Sequence, residues 1–152
     1  MYINRRNQPK NPMKSINHAA VWVCVILLTG LGFLWYETLF GELWMEMSGL
    51  SLADIEANPP GAGVWITNFI ATVVPLYVLA WLLHNMNVES GMGGAGIGLL
   101  ISFSFVFLTI MTGNMFAMKP YALSWITGGY GMVAMALSGF ILGVWRKKGA
   151  TT

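Results

Sequence analysis

The feature that most constrains this chain is a set of four long stretches without a charged residue. A helix rises about 1.5 Å per residue, so about 20 apolar residues cross the hydrocarbon core of a bilayer. A soluble domain of 152 residues has no use for four such stretches. The sequence therefore predicts a membrane protein. The stretches occupy residues 15–36, 57–83, 91–118 and 120–145.

The composition agrees, since 56% of the residues are hydrophobic and 9% are charged, whereas soluble proteins carry about 25% charged residues. We predict an all-α fold, an integral membrane four-helix bundle. Residues 15–146 form one membrane domain, with tails at 1–14 and 147–152. The first span is interpreted as retained and not as a cleaved signal peptide, because no small-residue cleavage site follows it. The predicted spans lie at about residues 16–37, 64–86, 92–116 and 120–145.

Basic residues predict the orientation of the spans, because lysine and arginine concentrate in the cytoplasmic segments beside membrane helices. Seven of the eight lie near the two ends of the chain, namely Arg5, Arg6, Lys10, Lys14, Arg146, Lys147 and Lys148. Both termini are therefore predicted to be cytoplasmic, in the inner (cytoplasmic) membrane of a bacterium, with the 38–63 loop outside. These charges indicate contact with membrane lipids, and no nucleic acid is expected as a partner.

The 38–63 loop is predicted to form one or two short amphipathic helices on the outer face of the membrane. Aromatic residues crowd its beginning, and Trp and Tyr prefer the membrane interface. Ser51 lies three residues before Asp54, a pattern that starts helices, and the prolines at 59–60 end the segment. Two alternative sets of residues have helical spacing and could form the buried face: Leu39, Leu43 and Met47, or Phe40, Trp44 and Met47.

A series of residues runs through the chain: Trp35-Tyr36, Phe40-Gly41, Trp44, Gly49-Leu50, Asn114, Lys119-Pro120, Gly129-Tyr130 and the segment 139–145. This series resembles the DUF1761 family, small bacterial and fungal integral membrane proteins of unknown function. The resemblance covers roughly residues 20–146 and implies a membrane fold without implying an activity. Glu37 and Glu42 depart from the family pattern, which more often has a small polar and a basic residue there. We therefore expect the acidic outer loop to be particular to this chain.

Five polar residues are predicted to approach one another in the outer leaflet, namely Glu37, Asn68, Asn114, Lys119 and Tyr130. Polar groups inside a membrane usually face protein, because lipid cannot satisfy them. One interpretation is an outward-open pocket for a small polar ligand or ion. The other is a set of interhelical hydrogen bonds, with a Glu37–Lys119 ion pair, that closes the bundle.

Small residues at four-residue spacing predict close helix packing, within one chain or between copies. They are Gly94 and Gly98 in the third span, and Gly139 and Gly143 in the fourth. The glycines of the 127–131 segment are predicted to form a packing notch around Tyr130. A second predicted interface is aromatic and consists of Trp35, Tyr36, Phe40 and Trp44.

No catalytic residue, cofactor or metal site is predicted. His18 and His84 fall at the same leaflet but have no third ligand, and the methionines at 45 and 47 are typical of packing. We therefore expect a non-catalytic multi-pass membrane protein that acts by helix packing, as a homo-oligomer or as an accessory subunit of a larger membrane complex. The alternative is a small oligomeric transporter or channel that uses the polar pocket.

Overall fold

The computed structural model describes residues 16–146, and these residues form helices and turns without any strand. The predicted all-helical fold is confirmed, as are four helices long and apolar enough to cross a membrane. The basic residues at 5, 6, 10, 14, 147 and 148, on which the predicted orientation mainly rests, lie outside the described residues, as do both tails. The spans are span 1 (His18–Leu39), span 2 (Ala62–Asn85), span 3 (Gly91–Phe116) and span 4 (Tyr121–Val144).

Two of the spans change their helical type along their length. Span 1 consists of α1 (His18–Phe33) and a first π segment (Leu34–Leu39), and two short helices follow it, α2 (Gly41–Ser48) and α3 (Leu52–Ala57). Span 2 is the single helix α4. Span 3 consists of α5 (Gly91–Ile101), a second π segment (Ser102–Phe107) and α6 (Leu108–Phe116), and span 4 is α7. Such wide π-helical turns are rare and are frequent at functional sites.

The helix ends follow from local sequence. The Asn17 side chain accepts a hydrogen bond from the Ala20 backbone N–H and so caps span 1, and Ser90 caps span 3 through the Gly93 N–H. Polar caps of this kind satisfy the free N–H groups of a first turn. Gly49 ends α2 in the left-handed region, with φ of 73°, which favours glycine.

The bundle has two distinct ends. We call one end the terminal end, because residues 17 and 145, near the two ends of the described chain, meet there. The Asn17 side chain donates a hydrogen bond to the Trp145 carbonyl, 3.1 Å away. At the loop end, where residues 40–61 and 117–120 lie, the Trp35 indole N–H donates to the Ile126 carbonyl at 3.0 Å. Spans 1 and 4 therefore run antiparallel along each other.

Spans 3 and 4 make the closest helix contact in the protein, and glycines form it. A Cβ atom added at Gly94 would collide with the Gly139 carbonyl, and one added at Gly98 would collide with the Met135 carbonyl. Gly143 lies equally close to the backbone of Ser90. These glycines are buried between the two spans. Their close packing therefore joins helices of one chain and leaves no glycine stripe for a second copy.

The glycine notch of the 127–131 segment receives Phe107, so the predicted notch around Tyr130 is wrong. Phe107 is only 2% exposed, and a Cβ atom at Gly128 would lie 2.6 Å from its ring. The ring also lies 4.7 Å from that of Trp125. Successive α-helical residues are about 100° apart. Gly128 therefore faces span 3, whereas Tyr130 faces span 1.

Span 2 packs against the bundle through only one half of its length. Leu76, Leu79 and Leu83 are buried in the main apolar core, together with residues of spans 1 and 4. In contrast, every residue from 62 to 71 is exposed. Pro75 lies between the two halves, where it removes a backbone donor and favours a bend. The half of span 2 nearer the loop end therefore diverges from the core.

The loop between spans 1 and 2 contains two helices, within the predicted range of one or two. Phe40, Trp44 and Met47 are partly buried, whereas Leu39 and Leu43 are exposed. Of the two predicted buried faces, the second is therefore the one that forms.

The predicted helix start at Ser51 is confirmed as a reciprocal capping box. The Ser51 hydroxyl accepts a hydrogen bond from the Asp54 N–H at 3.2 Å, and the Ser51 N–H donates to the Asp54 carboxylate at 2.9 Å. These contacts lower the pKa of Asp54, first through the Ser51 hydroxyl and second through its backbone N–H. The carboxylate therefore supports α3 in its ionised form.

We expect Ser51→Ala to loosen α3 and to raise the pKa of Asp54 toward its ordinary value. A carboxylate with a lowered pKa stabilises the folded segment above its unfolded pKa, about 3.9. That contribution disappears as the pH falls through the lowered pKa. Hydrogen exchange at the Ile55 amide should become about fivefold faster in the variant at neutral pH. Ser48→Ala, at the end of α2, is the control, and equal exchange in both variants would contradict the role of the cap.

Candidate functional site

A cleft opens at the loop end, where span 2 leaves spans 1 and 4. Its volume is about 490 Å³, within the usual range for small-molecule sites. We call it the loop-end cleft. Its polar and aromatic lining consists of Thr29, Phe33, Tyr36 and Glu37 from span 1, Trp65, Asn68 and Thr72 from span 2, and Tyr130 from span 4.

The structure brings together three of the five residues predicted to share a pocket, Glu37, Asn68 and Tyr130. The other two lie elsewhere. The Asn114 amide donates to the Ser124 hydroxyl at 3.1 Å, which joins spans 3 and 4. Span 3 packs along span 4 mainly through their shared glycine face, and its loop end therefore does not line the cleft between spans 1 and 2.

The predicted Glu37–Lys119 ion pair does not form. The Lys119 ammonium instead donates a hydrogen bond to the Ser48 carbonyl at the end of α2, 2.9 Å away. That carbonyl belongs to the last turn of a helix, where free carbonyls attract cations. Lys119 therefore fastens the 117–120 turn to α2 and leaves the carboxylate of Glu37 without its expected partner.

Glu37 supplies the only charged side chain among the described residues that line the loop-end cleft. Within residues 16–146 its carboxylate has no ion pair and no hydrogen bond. The side-chain amide of Asn68 likewise has no hydrogen-bond partner in that range. Asn68 lies six residues into span 2, about 9 Å along the helix axis from its loop-end residue. The cleft therefore offers one carboxylate near the membrane boundary and one amide deeper down.

An aromatic cluster forms the wall of the cleft on the side of spans 1 and 4. The Tyr36 ring lies 5.5 Å from Tyr130 and 5.9 Å from Trp44. The Trp35 ring lies 4.8 Å from Phe40 and 6.2 Å from Tyr130. The four aromatic residues predicted as an interface therefore join Tyr130 in one connected cluster, at the separations typical of aromatic pairs.

Two hydrogen bonds fix this wall to the backbone. The Tyr130 hydroxyl donates to the Leu28 carbonyl at 3.1 Å, and the Trp35 indole donates to Ile126. Both bonds cross between spans 1 and 4. Buried hydroxyl and indole groups need such partners. The wall is therefore a rigid surface, while the opposite wall belongs to the exposed half of span 2, where the Phe69 ring stacks on Trp22 of span 1 at 6.2 Å.

The cleft continues into a second, apolar space of about 270 Å³, which we call the inner chamber. Both spaces are lined by Leu28, Ala71, Thr72 and Tyr130. Farther from the cleft, the inner chamber is lined by Pro75 of span 2 and by Ile101, Ser102 and Val106 of span 3. The two spaces therefore adjoin each other: the cleft is polar and aromatic, and the inner chamber is mainly apolar.

The terminal end of the bundle is closed by a polar network. The Arg146 guanidinium donates to the Val88 carbonyl at 3.1 Å, forms an ion pair with Glu89 at 3.2 Å and lies 3.1 Å from the His84 ring nitrogen. His18 contacts the Tyr77 hydroxyl at 3.1 Å. Both histidines thus take part in contacts between helices. These contacts join the helices at the terminal end, whereas the cleft opens at the loop end.

The sequence reasoning overlooked Thr72, Trp65 and the inner chamber. Tyr36 was predicted only as a packing residue. Pro75 was the available signal, because a bend in mid-span can separate half a helix from its neighbours. The π segments have no comparable signal, since their residues are ordinary apolar and aromatic ones.

A family comparison agrees with this architecture. The family model described as "Protein of unknown function (DUF1761)" matches residues 19–143, which include all but a few residues of the four spans. The chain belongs to the DUF1761 family. The resemblance predicted from the sequence is therefore confirmed. No curated protein and no solved structure matches the chain.

The cleft is equipped for binding. Its lining combines one carboxylate, one amide, two threonines and four aromatic residues. Among the described residues, no group of three histidine, cysteine or acidic side chains is close enough to hold a metal ion. What this DUF1761 member can do at the cleft is attract, orient and partly desolvate a small molecule.

Proposed function

We propose that this DUF1761 member is a non-catalytic membrane protein that binds a small polar or amphiphilic solute in the loop-end cleft. One observation carries the proposal: the cleft holds the Glu37 carboxylate, which has no partner within residues 16–146, above an apolar chamber. An ionised group at a membrane boundary is costly to desolvate without a partner. A bound solute would supply that partner.

The arrangement favours a carrier over an open channel. The cleft is open at the loop end, whereas Arg146 and its partners hold the helices together at the terminal end. A channel needs a continuous path, while a carrier opens its two ends in turn. The bend at Pro75 would allow span 2 to move. The basic ends of the chain support cytoplasmic termini in a bacterial inner membrane, and the cleft would then face outward.

Filling the cleft tests the proposal. Ala71 lines both the cleft and the inner chamber, so Ala71→Trp should occupy the space that a solute uses. Val74→Trp is the matched control, because Val74 lies on the same helix, is 53% exposed and lines neither space. Each protein is extracted from native membranes in nanodiscs, and its bound small molecules are identified by mass spectrometry.

We expect a small molecule to be recovered with the wild type and with Val74→Trp, and at least about tenfold less of it with Ala71→Trp. Flux of the identified molecule into liposomes then distinguishes a carrier from a receptor. Equal recovery from all three proteins, or recovery of nothing but bulk lipid from each, would overturn the proposal.

A second candidate function is helix packing, in a homo-oligomer or as an accessory subunit of a larger complex. The observation that favours it is the loop-end half of span 2, where Trp65, Ile66 and Phe69 are each at least 50% exposed. A partner helix could cover this half. Aromatic residues are enriched at protein interfaces.

The mass of the particle released from native membranes by a mild detergent tests this candidate. A multiple of 16.7 kDa would support a homo-oligomer, and a larger mass with other subunits would support an accessory role. Phe69→Ala should then weaken the assembly, whereas Phe116→Ala, an exposed residue at the loop end of span 3, should not. A particle of one chain would exclude both forms of assembly.

A further inference from the structure

The charge, aromatic lining and depth of the loop-end cleft together indicate a ligand class. We infer that the cleft binds an amphiphilic organic cation, with its ammonium head beside Glu37 and its hydrocarbon tail in the inner chamber. This inference rests on the proposed function and specifies the substrate class of that same site.

Charge is the first argument. Among the residues lining the cleft, Glu37 is acidic and there is no lysine, arginine or histidine. The nearby loop carries Glu42, Glu46, Asp54 and Glu56 and no basic residue. Lys119, the basic residue of the other loop, is bound to the Ser48 carbonyl. The mouth of the cleft therefore has a negative potential, which attracts cations and disfavours anions.

The aromatic rings are the second argument. Tyr36 and Tyr130 stand 5.5 Å apart on the rigid wall, and Trp65 lines the cleft from span 2. Organic ammonium groups are held by the faces of Trp and Tyr rings, and a neighbouring carboxylate adds to that attraction. Small inorganic cations prefer a shell of oxygen ligands, and within the cleft lining Glu37 supplies the only carboxylate.

The inner chamber supplies the place for a tail. Its lining beyond Thr72 is mainly apolar and includes Pro75, Leu76, Ile101 and Val106. Residues 62–71 of span 2 are all exposed, so the side of the cleft that span 2 forms would face lipid in a bilayer. An amphiphile can therefore enter from the bilayer with its tail already in hydrocarbon. A polar solute without a tail would leave the inner chamber empty.

The test uses the full chain in nanodiscs of phosphatidylglycerol, a lipid without a cationic headgroup. The probe is decyltrimethylammonium, kept below its micelle concentration, and saturable binding is measured by calorimetry. We expect Glu37→Gln to weaken binding about tenfold and Trp65→Ala to weaken it about threefold. Glu42→Gln is the matched control, because Glu42 is exposed nearby and does not line the cleft. It should bind like the wild type.

Two further probes separate the head from the tail. Tetramethylammonium, which has no tail, should bind at least about tenfold more weakly than the full probe. Decanol, which has no charge, should bind equally to the wild type and to Glu37→Gln. Binding of decyltrimethylammonium that is saturable but unchanged by Glu37→Gln, or that is lost equally with Glu42→Gln, would overturn the inference.

The source of the cation is tested by adding phosphatidylcholine to the discs. If phosphatidylcholine weakens the binding of decyltrimethylammonium, the ligand is identified as a lipid headgroup. If binding is unchanged, the ligand is identified as a free amphiphilic cation. Both results support the cationic class. If Ala71→Trp removes a bound solute while Glu37→Gln leaves probe binding intact, only the cationic class fails. If neither variant has an effect, the proposed function fails as well.

Discussion

Gly94→Ala is expected to unfold or strongly destabilise the bundle, although it adds a single methyl group. The new Cβ atom would collide with the backbone carbonyl of Gly139, and no side chain at that point can move aside. Spans 3 and 4 would have to separate along their most extensive contact. Overpacking in cores costs about 1–3 kcal/mol, and we expect about 3 kcal/mol here because backbone is the obstacle. Unfolding in mixed micelles with increasing dodecyl sulfate measures the loss.

Gly96→Ala is the matched control for this experiment. Gly96 lies two residues away in the same helix, and a Cβ atom there would meet nothing within 4 Å. Alanine is the better helix former by about 1 kcal/mol in water, so this variant should be as stable as the wild type or more so. Similar stability of the two variants would show that the glycine contact between spans 3 and 4 does not form.

Phe107→Ala should produce the second large loss of stability, also about 3 kcal/mol. This value is at the lower end of the range for such truncations in soluble cores. We expect this lower value because lipid provides little hydrophobic driving force, so the loss of stability comes mainly from lost packing contacts. The ring fills the notch at Gly128 and contacts Trp125. Its removal would leave a hole between spans 3 and 4.

Phe105→Ala provides the comparison, since Phe105 belongs to the same π segment and is 74% exposed. Its truncation should change the free energy of unfolding by less than about 0.5 kcal/mol. The same mixed-micelle titration serves both variants. If Phe105→Ala cost as much as Phe107→Ala, the orientation of the second π segment would be wrong.

Local features could be predicted from the sequence. The four spans follow from their length and lack of charge, and the start of α3 follows from Ser51 and Asp54. The glycine spacing on spans 3 and 4 predicted close packing. In each case the cause lies within a short segment, so no knowledge of the neighbouring helices is needed.

The makeup of the cleft depended on helix arrangement, and there the prediction was only partly right. Asn114 and Lys119 were expected beside Glu37, but the Asn114 amide donates to Ser124 in span 4 and the Lys119 ammonium donates to the Ser48 carbonyl. Which neighbour a residue contacts depends on how each span is rotated about its own axis. Because the spans contain few charged residues, the sequence rarely indicates which face of a span turns inward. Pro75 favours a bend in span 2, but a proline alone does not predict the direction of that bend. Its direction, which creates the cleft, depends on packing at Leu76 and Leu79.

The first π segment has a consequence for how this protein tolerates insertions and deletions. Each residue of a helix turns the chain by about 100°. A π turn holds about one residue more than an α turn, so removing one residue between 34 and 39 and restoring a regular α-helix would leave Phe40 and α2 facing the Tyr130 side of the bundle. A membrane span in general accepts one residue more or less by tilting slightly. Removing one residue from α1 would instead rotate all that follows by about 100° relative to what precedes it, so the two parts of span 1 tolerate a deletion differently.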